Sequence, residues 1–330
     1  VLLALSASAQ AMFEVKDVFP PEAIHNHSSS IVELPNGDLL VCWYRGSGER
    51  TADDVQILGS RKLKGSNEWT APFVMADTPG FPDTNPVLWV DRDNRVWLFW
   101  GLVIANEWHT ALLKYVRSDD AWQGPGSPKW QWSSEIILVP RNMLEKTRQV
   151  MEPELKRTGP FKERAARLIA LADEKYFARM GWFTRTHPIE LPGGRILLPL
   201  YSDGYSFGLM AISDDRGKTW RGSEPIVGWG PVQPSVVRRE SGELVAYMRD
   251  NGPPPQRVLM SVSKDEGVSW TPAVDTDILN SGTSVEVIRL RDGRWLMINN
   301  DTESGRSSLA ASLSSDEGKS WSVTRHIERD

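Results

Sequence analysis

The chain of 330 residues has a single cysteine, Cys42. One thiol excludes an internal disulfide framework and any cysteine-based zinc site, and its place in the apolar run LLVCWY marks it as a small core residue. No low-complexity tract is present, and 40% hydrophobic with 25% charged residues is not the composition of a disordered or fibrous chain. A basic excess is missing too. The 38 Lys and Arg against 43 Asp and Glu leave a net charge of −5, which speaks against a broad nucleic-acid-binding surface but leaves room for a local basic pocket. No apolar run is long enough to span a bilayer. Neither a metal-ligand motif nor a nucleotide-binding loop is apparent, so no cofactor is expected. Residues 1–11, VLLALSASAQA, read as the tail of a secretory signal with Ala9 and Ala11 in an A-x-A arrangement; residues 12–330 would then form one exported domain, secreted or periplasmic.

What the chain has in excess is tryptophan, 15, and glycine, 26. Repetition explains both. One octet occurs three times, as SDDRGKTW at 213–220, SKDEGVSW at 263–270 and SSDEGKSW at 314–321. The spacing of its final residues, Trp220, Trp270 and Trp321, is that of propellers or solenoids. Chemically the octet describes a hairpin turn: Asp accepts from nearby backbone N–H groups, Gly supplies a positive φ, and Trp packs between neighbouring units. Asp215, Asp265 and Asp316 are therefore expected to be structural rather than catalytic.

A strand, a tight turn and a second strand recur five times, around Gly37, Asn94, Gly194, Gly242 and Gly293. The long interval between the second and third copies loses this pattern from residue 141 to about 180. There Ala165, Leu168, Ile169, Ala172, Tyr176 and Met180 fall at helical spacing, which predicts a helical insertion. The whole then reads as five four-stranded units in a propeller-type array.

In a propeller the innermost strand of each blade starts at the mouth of the central channel, where residues from all blades converge. Registering the units on their turns puts His27-Ser28, Asn85-Pro86, His187-Pro188, Gln233-Pro234 and Thr283-Ser284 at that position. Every blade offers a polar residue there, as expected of a binding site or of solvated strand ends. Further polar residues leave these strands: Glu49, Arg50, Asp53 and Asp54 after the first hairpin, Arg249 and Asp250 in the fourth, and Asn299, Asn300, Asp301 and Arg306 after the fifth. Arg249 ends an otherwise apolar strand, and a guanidinium there needs an anionic partner, either a structural Asp or a ligand carboxylate.

The octets are Asp boxes. With the hairpins, and with the stretches HSSSIVELPNGDLL, GPVQPSVVRR and LVAYMRDNG, the chain from about His25 onward resembles the sialidase (neuraminidase) superfamily, in particular the bacterial sialidase-like BNR-repeat proteins. The resemblance implies an all-β, six-bladed β-propeller with a helical insertion, here apparently lacking most of the last blade. It also implies three carboxylate-binding arginines, a Tyr nucleophile activated by a Glu, and an Asp acid/base. Position by position, His27 stands where the first arginine belongs, Arg249 matches the second and Arg306 best matches the third. Gln233 stands in place of the activating Glu, while Asp53, Asp54 or, less well, Glu49 offer the acid/base. The Tyr would belong to the absent last blade. A neutral amide cannot act as a base, and losing one bidentate arginine weakens recognition of sialic acid, so these substitutions point away from true sialidase chemistry.

The expectation is a secreted carbohydrate-active enzyme, an exo-acting glycoside hydrolase on an oligosaccharide or polysaccharide ending in an acidic sugar, sialic or uronic. Arg249 and Arg306 would bind the carboxylate, with Asn85, Glu49, Arg50 and Asn300 contributing to the substrate site. His27, His187, Asp53, Asp54 and Gln233 are the catalytic positions, the histidines because imidazole titrates near neutrality. A uronate lyase on the same scaffold and a non-catalytic glycan-binding propeller are the alternatives.

Overall fold

The computed structural model describes residues 14–329, so the secretory-signal reading of residues 1–11 lies outside the described residues. The strands form five separate antiparallel sheets, four of them with four strands in simple sequence order and the third with a fifth short strand added. Five blades are thus present among the described residues where the family resemblance implied six. Their innermost strands are His25–Glu33, Asp83–Val90, the short pieces Phe183–Thr184 and Ile189–Glu190, Pro231–Arg238, and Glu286–Arg289.

The alternating pattern of each strand sends every second side chain into a seam between blades. Leu40, Cys42 and Tyr44 of the first blade pack against Leu88, Leu98 and Trp100 of the second, which places Cys42 in the core as its sequence context predicted. Leu197, Met210 and Ile212 meet Val236, Ala246 and Met248 between the third and fourth, and Tyr247 meets Val287, Trp295 and Met297 between the fourth and fifth. Stacked layers of this kind bury apolar area that a lone sheet would leave wet.

The three octets close these seams. In the first, the Ser213 hydroxyl donates to Asp215, whose carboxylate also accepts the Thr219 N–H and hydroxyl at 2.9 and 2.6 Å, holding the acid at about 2. Asp265 and Asp316 repeat the same bonds. Gly217 has φ +80° and presses on Trp97 of the preceding blade, where an added Cβ would lie 2.4 Å from the ring. Trp220 stands edge-on to Phe99 of that blade at 6.1 Å between ring centres. The turn is a tenon for its neighbour, which is the structural role its chemistry predicted.

The helical insertion comprises α1 (Met143–Met151), a short 3-10 turn, α2 (Pro160–Asp173) and α3 (Lys175–Arg179). Ala165, Leu168 and Ala172 of α2 are buried, while Tyr176 belongs to α3, since the chain breaks to extended backbone at Glu174. The insertion packs where the strands begin. Tyr205, in the loop after the third blade's second strand, donates to the Leu171 carbonyl at 2.8 Å, and Phe161 meets Trp229, four residues before Gln233, at 5.3 Å.

Candidate active site

Backbone register identifies the residues that share the mouth. The pairs Val32 with Leu40, Trp89 with Trp97, Ile189 with Leu197, Val237 with Val245 and Ile288 with Leu296 occupy equivalent rungs of the five blades. Four residues upstream of each lie Ser28, Asn85, Arg185, Gln233 and Ser284. The third blade therefore presents Arg185, not His187, which corrects the register read from the His-Pro dipeptide; that dipeptide imitates Asn85-Pro86 and Gln233-Pro234 but sits two residues deeper. A count of nine back from each hairpin turn residue, applied to Gly194 as to the others, would have found Arg185.

Three of these positions carry the same local distortion. Ser28, Asn85 and Gln233 have φ of 58°, 53° and 56°, each inside a break in strand register. Bulges re-aim side chains, and left-handed backbone on residues other than glycine is strain of the sort concentrated at functional sites.

Arg185 joins the ring. Its Nε donates to the Ser284 Oγ at 3.0 Å and a terminal nitrogen donates to Ser28 Oγ, so one guanidinium links the first and fifth blades. Ser284 in turn donates to Gln233 Oε1 at 2.6 Å, and Asn85 Nδ2 donates to the Tyr201 hydroxyl at 3.0 Å. Gln233 is thus an acceptor that orients a serine. One step deeper in the channel, His187 Nδ1 is 2.5 Å from Glu286 Oε1, which also accepts from Ser235 Oγ at 2.8 Å. Burial opposes a charge on His187, but the Glu286 carboxylate outweighs it and the imidazole pKa is raised.

On the first blade's side stands a cluster of two histidines, a tyrosine and a glutamate. The Tyr44 hydroxyl donates to Glu49 Oε1 at 2.7 Å; that oxygen is 3.8 Å from His25 Nε2 and 4.0 Å from His27 Nε2. Burial, then the nearby Arg185 charge, pushes the His27 pKa down, with Glu49 opposing. Burial also pushes the Tyr44 and Tyr201 hydroxyls well up, keeping both protonated. Asp203 is exposed at the mouth, yet the protein crowded around it raises its pKa, against the Arg249 charge, and Glu49 raises it further.

Arg249 is half-buried and its Nε has no hydrogen-bond partner. Burial lowers its pKa, Asp203 supports its charge, and Arg306 and Arg185 repel it. Among the described residues no carboxylate lies within 4.0 Å of Arg185, Arg249 or Arg306, whereas Arg95, Arg195 and Arg257 are each paired. The structural-Asp alternative for Arg249 therefore has no ion pair to stand on, and Asp203 is a neighbour in the field only.

The remaining predicted residues are placed differently. Asp54 spends its carboxylate on the Ser47 N–H and hydroxyl within its own loop, and Asp53 accepts from Asn106 Nδ2 at 2.9 Å, tying that loop to the second blade. Arg50 lies 5.3 Å over the Trp108 ring, with Nε 3.8 Å from Glu107. Asn300 ends its strand with a buried, unpartnered Oδ1. Sequence reasoning missed Arg185, Tyr44, Tyr201 and Asp203. Tyr44 and Tyr201 sit in apolar strands that read as core, and nothing local marks Asp203. Among the described residues no group of three or more His, Cys, Asp or Glu is arranged to hold a metal, and no helix is long and apolar enough to cross a membrane.

The profile of the BNR repeat-like domain matches residues 37–158 and 164–330. A sialidase of Micromonospora viridifaciens is 29% identical over 123 residues, 34% of this chain and 19% of that protein. Among solved structures, the Hadza microbial sialidase Hz136 superposes with a TM-score of 0.66 at 17% identity, covering 92% of this chain and 59% of its own. A protein of unknown function from Dyadobacter fermentans superposes at 0.67 and 17%, covering 94% and 85%. The leech intramolecular trans-sialidase, complexed with 2,7-anhydro-Neu5Ac, superposes at 0.66 and 14%, covering 97% and 64%. The chain thus spans less than two thirds of each of these named sialidases.

Proposed function

The chain belongs to the BNR repeat-like domain family, and from that premise we propose that it is a carbohydrate-active enzyme hydrolysing the glycosidic bond of a terminal acidic sugar, a sialic or uronic acid. The observation that carries the reading is the convergence on the channel mouth of three guanidiniums, Arg185, Arg249 and Arg306, that lack carboxylate partners among the described residues. Mutually repelling cations of this kind suit a ligand carboxylate, which arginine binds through paired hydrogen bonds. Arg185 supplies, from a different blade, a replacement for the first arginine, whose place His27 takes.

The proton carriers follow from their surroundings. Asp203, its pKa raised by the protein around it, is suited to protonate the leaving glycosidic oxygen, while Glu49, ordered by Tyr44, or His27, its pKa lowered, takes a proton from the attacking water. The six-bladed ring belongs to the same proposal. Ile31 and Val74 of the first sheet and Ile288 and Val323 of the fifth are exposed on faces turned away from the neighbouring blades, and a cavity of about 930 Å³ lined by Trp43, Leu58, His27 and Arg185 lies beside the first. A sixth sheet would cover such faces. Export, resting on residues 1–11, is part of the proposal as well.

His27 beside Arg185, its pKa lowered, favours one second reading, a uronate lyase on a 4-O-linked uronate: His27 removes the C5 proton alpha to the carboxylate, the C4–O bond to the preceding sugar breaks as the C4=C5 double bond forms, and Asp203 protonates the departing oxygen. The test is release of a fluorescent aglycone from sialosides and glucuronides, run beside ultraviolet detection of unsaturated uronate formed from a 4-O-linked uronate oligosaccharide. Aglycone release without unsaturation is the expected result; unsaturation selects the lyase. Retention of acidic glycans on an array with no turnover of any substrate would overturn the enzymatic reading in favour of a binding propeller.

A further inference from the structure

Beside the channel mouth, α2 carries a second set of cations that the site above does not use. Cationic side chains outnumber acidic ones in the insertion, in a chain that is acidic overall. Arg164 lies with its Cζ 5.7 Å over the Trp229 ring, and Arg157 with its Cζ 4.2 Å over Phe161, which itself meets Trp229 edge-on. Arg157 is satisfied by Glu154 at 2.8 Å. Arg164 and Arg167 have no carboxylate within 4.0 Å among the described residues; Arg164 is repelled by Arg167 and feels only the more distant Asp250, the residue after Arg249. An unpaired guanidinium laid on an aromatic pair, with a second unpaired guanidinium close enough to repel it, suits a charged sugar chain, since arginine grips carboxylate or sulfate and the aromatic holds its plane in place.

The position gives the patch its meaning. Trp229 leads into the strand that carries Gln233, and α2 is bonded through Leu171 to Tyr205, two residues beyond Asp203. A sugar whose acidic terminus sits at Arg185 and Arg249 would extend along this rim. We propose that Arg164, laid on Trp229, and the neighbouring Arg167 form a second anion-binding subsite that takes a carboxylate or sulfate on a sugar further along the chain, so that the preferred substrate is a polyanionic oligosaccharide. This rests on the acidic-sugar reading of the mouth for its orientation, but the patch can be tested by itself.

The experiment measures binding of four probes by calorimetry: free sialic acid, free glucuronic acid, a sialic acid hexamer and a chondroitin sulfate hexasaccharide. The wild-type chain should bind at least one hexamer about tenfold or more tighter than its monosaccharide, with a salt dependence set by the added anion contacts. The double variant R164Q/R167Q should lose that gain and keep the affinity for the monosaccharide. The single variant R185A should bind the monosaccharide about tenfold to a hundredfold more weakly and retain hexamer binding that still depends on Arg164. Equal affinity for hexamers and monosaccharides in the wild type, or hexamer binding unchanged in a folded R164Q/R167Q variant, would overturn the subsite. Failure of monosaccharide binding alone, with hexamer binding lost in R164Q/R167Q, would overturn the reading of the mouth and leave the subsite standing. Should the double variant not fold, W229L with both arginines kept is expected to show the same selective loss.

Discussion

His187 Nδ1 stands 2.5 Å from Glu286 Oε1, so the third blade is tied to the fifth past the fourth, whose Ser235 hydroxyl donates to the same carboxylate oxygen. The contact crosses the channel and uses no hydrophobic surface. It links the third, fourth and fifth blades by charge and hydrogen bonding.

Because Glu286 raises the His187 pKa above the unfolded value of about 6.5, the pair's contribution to stability is fully present below that pH. It is lost as pH rises through the higher folded-state value. Thermal unfolding followed from about pH 5 to 9 should show this loss in the wild type, and His187→Gln should remove it. An identical pH profile in the variant would mean that the pair does not titrate on folding.

His27 answers to a different neighbour. Burial lowers its pKa first and the Arg185 charge adds to that, so Arg185→Gln should move the His27 titration upward while leaving burial in place. Imidazole chemical shifts across a pH series report this directly. No movement would place the guanidinium further from His27 than the ring of mouth residues requires.

For ligand recognition, Arg185→Ala should weaken binding of the acidic monosaccharide by about tenfold to a hundredfold, the range for a charge-assisted paired contact. Arg185→Lys should restore little of it, because a point charge cannot replace the planar fork. Titration of the free sugar acid checks both. Full rescue by lysine would show that only the charge counts.

Gly217→Ala tests the seam rather than the site. The substitution forces a side chain into left-handed backbone at φ +80° and onto the Trp97 ring at 2.4 Å, with an expected cost of about 2–5 kcal/mol in chemical denaturation. Ligand affinity of the folded fraction should be unchanged, since the octet lies away from the channel mouth.

The architecture was readable because its signals are local and repeated. Turn chemistry at Gly37, Gly242 and Gly293 and the bonding pattern of Asp215, Asp265 and Asp316 are decided within a few residues, so composition and spacing suffice. The loss of strand alternation after residue 140 and the helical spacing of Ala165, Leu168 and Ala172 likewise placed the insertion between blades. The site was legible in part. Gln233, Asn85, His27 and Arg249 stand near the mouth as their positions indicated, but Asp53 and Asp54, which looked free in the sequence, are held by Asn106 and Ser47. No sequence signal foretells which acid in a polar loop will cap its own backbone.

Arg185 marks the boundary between the two kinds of information. By itself the sequence determined that five hairpin units repeat, that their turns are built on aspartate and glycine and carry a tryptophan, and that polar residues begin the inner strands; these are properties of residues within one turn or one strand of each other. Only the tertiary structure decided that Arg185 stands between Ser28 and Ser284, some 157 and 99 residues away, and that it shares a mouth with the unpaired Arg249. That meeting depends on how each blade is rotated against the next, which is fixed by the summed packing of all the seams and is written in no single stretch of chain.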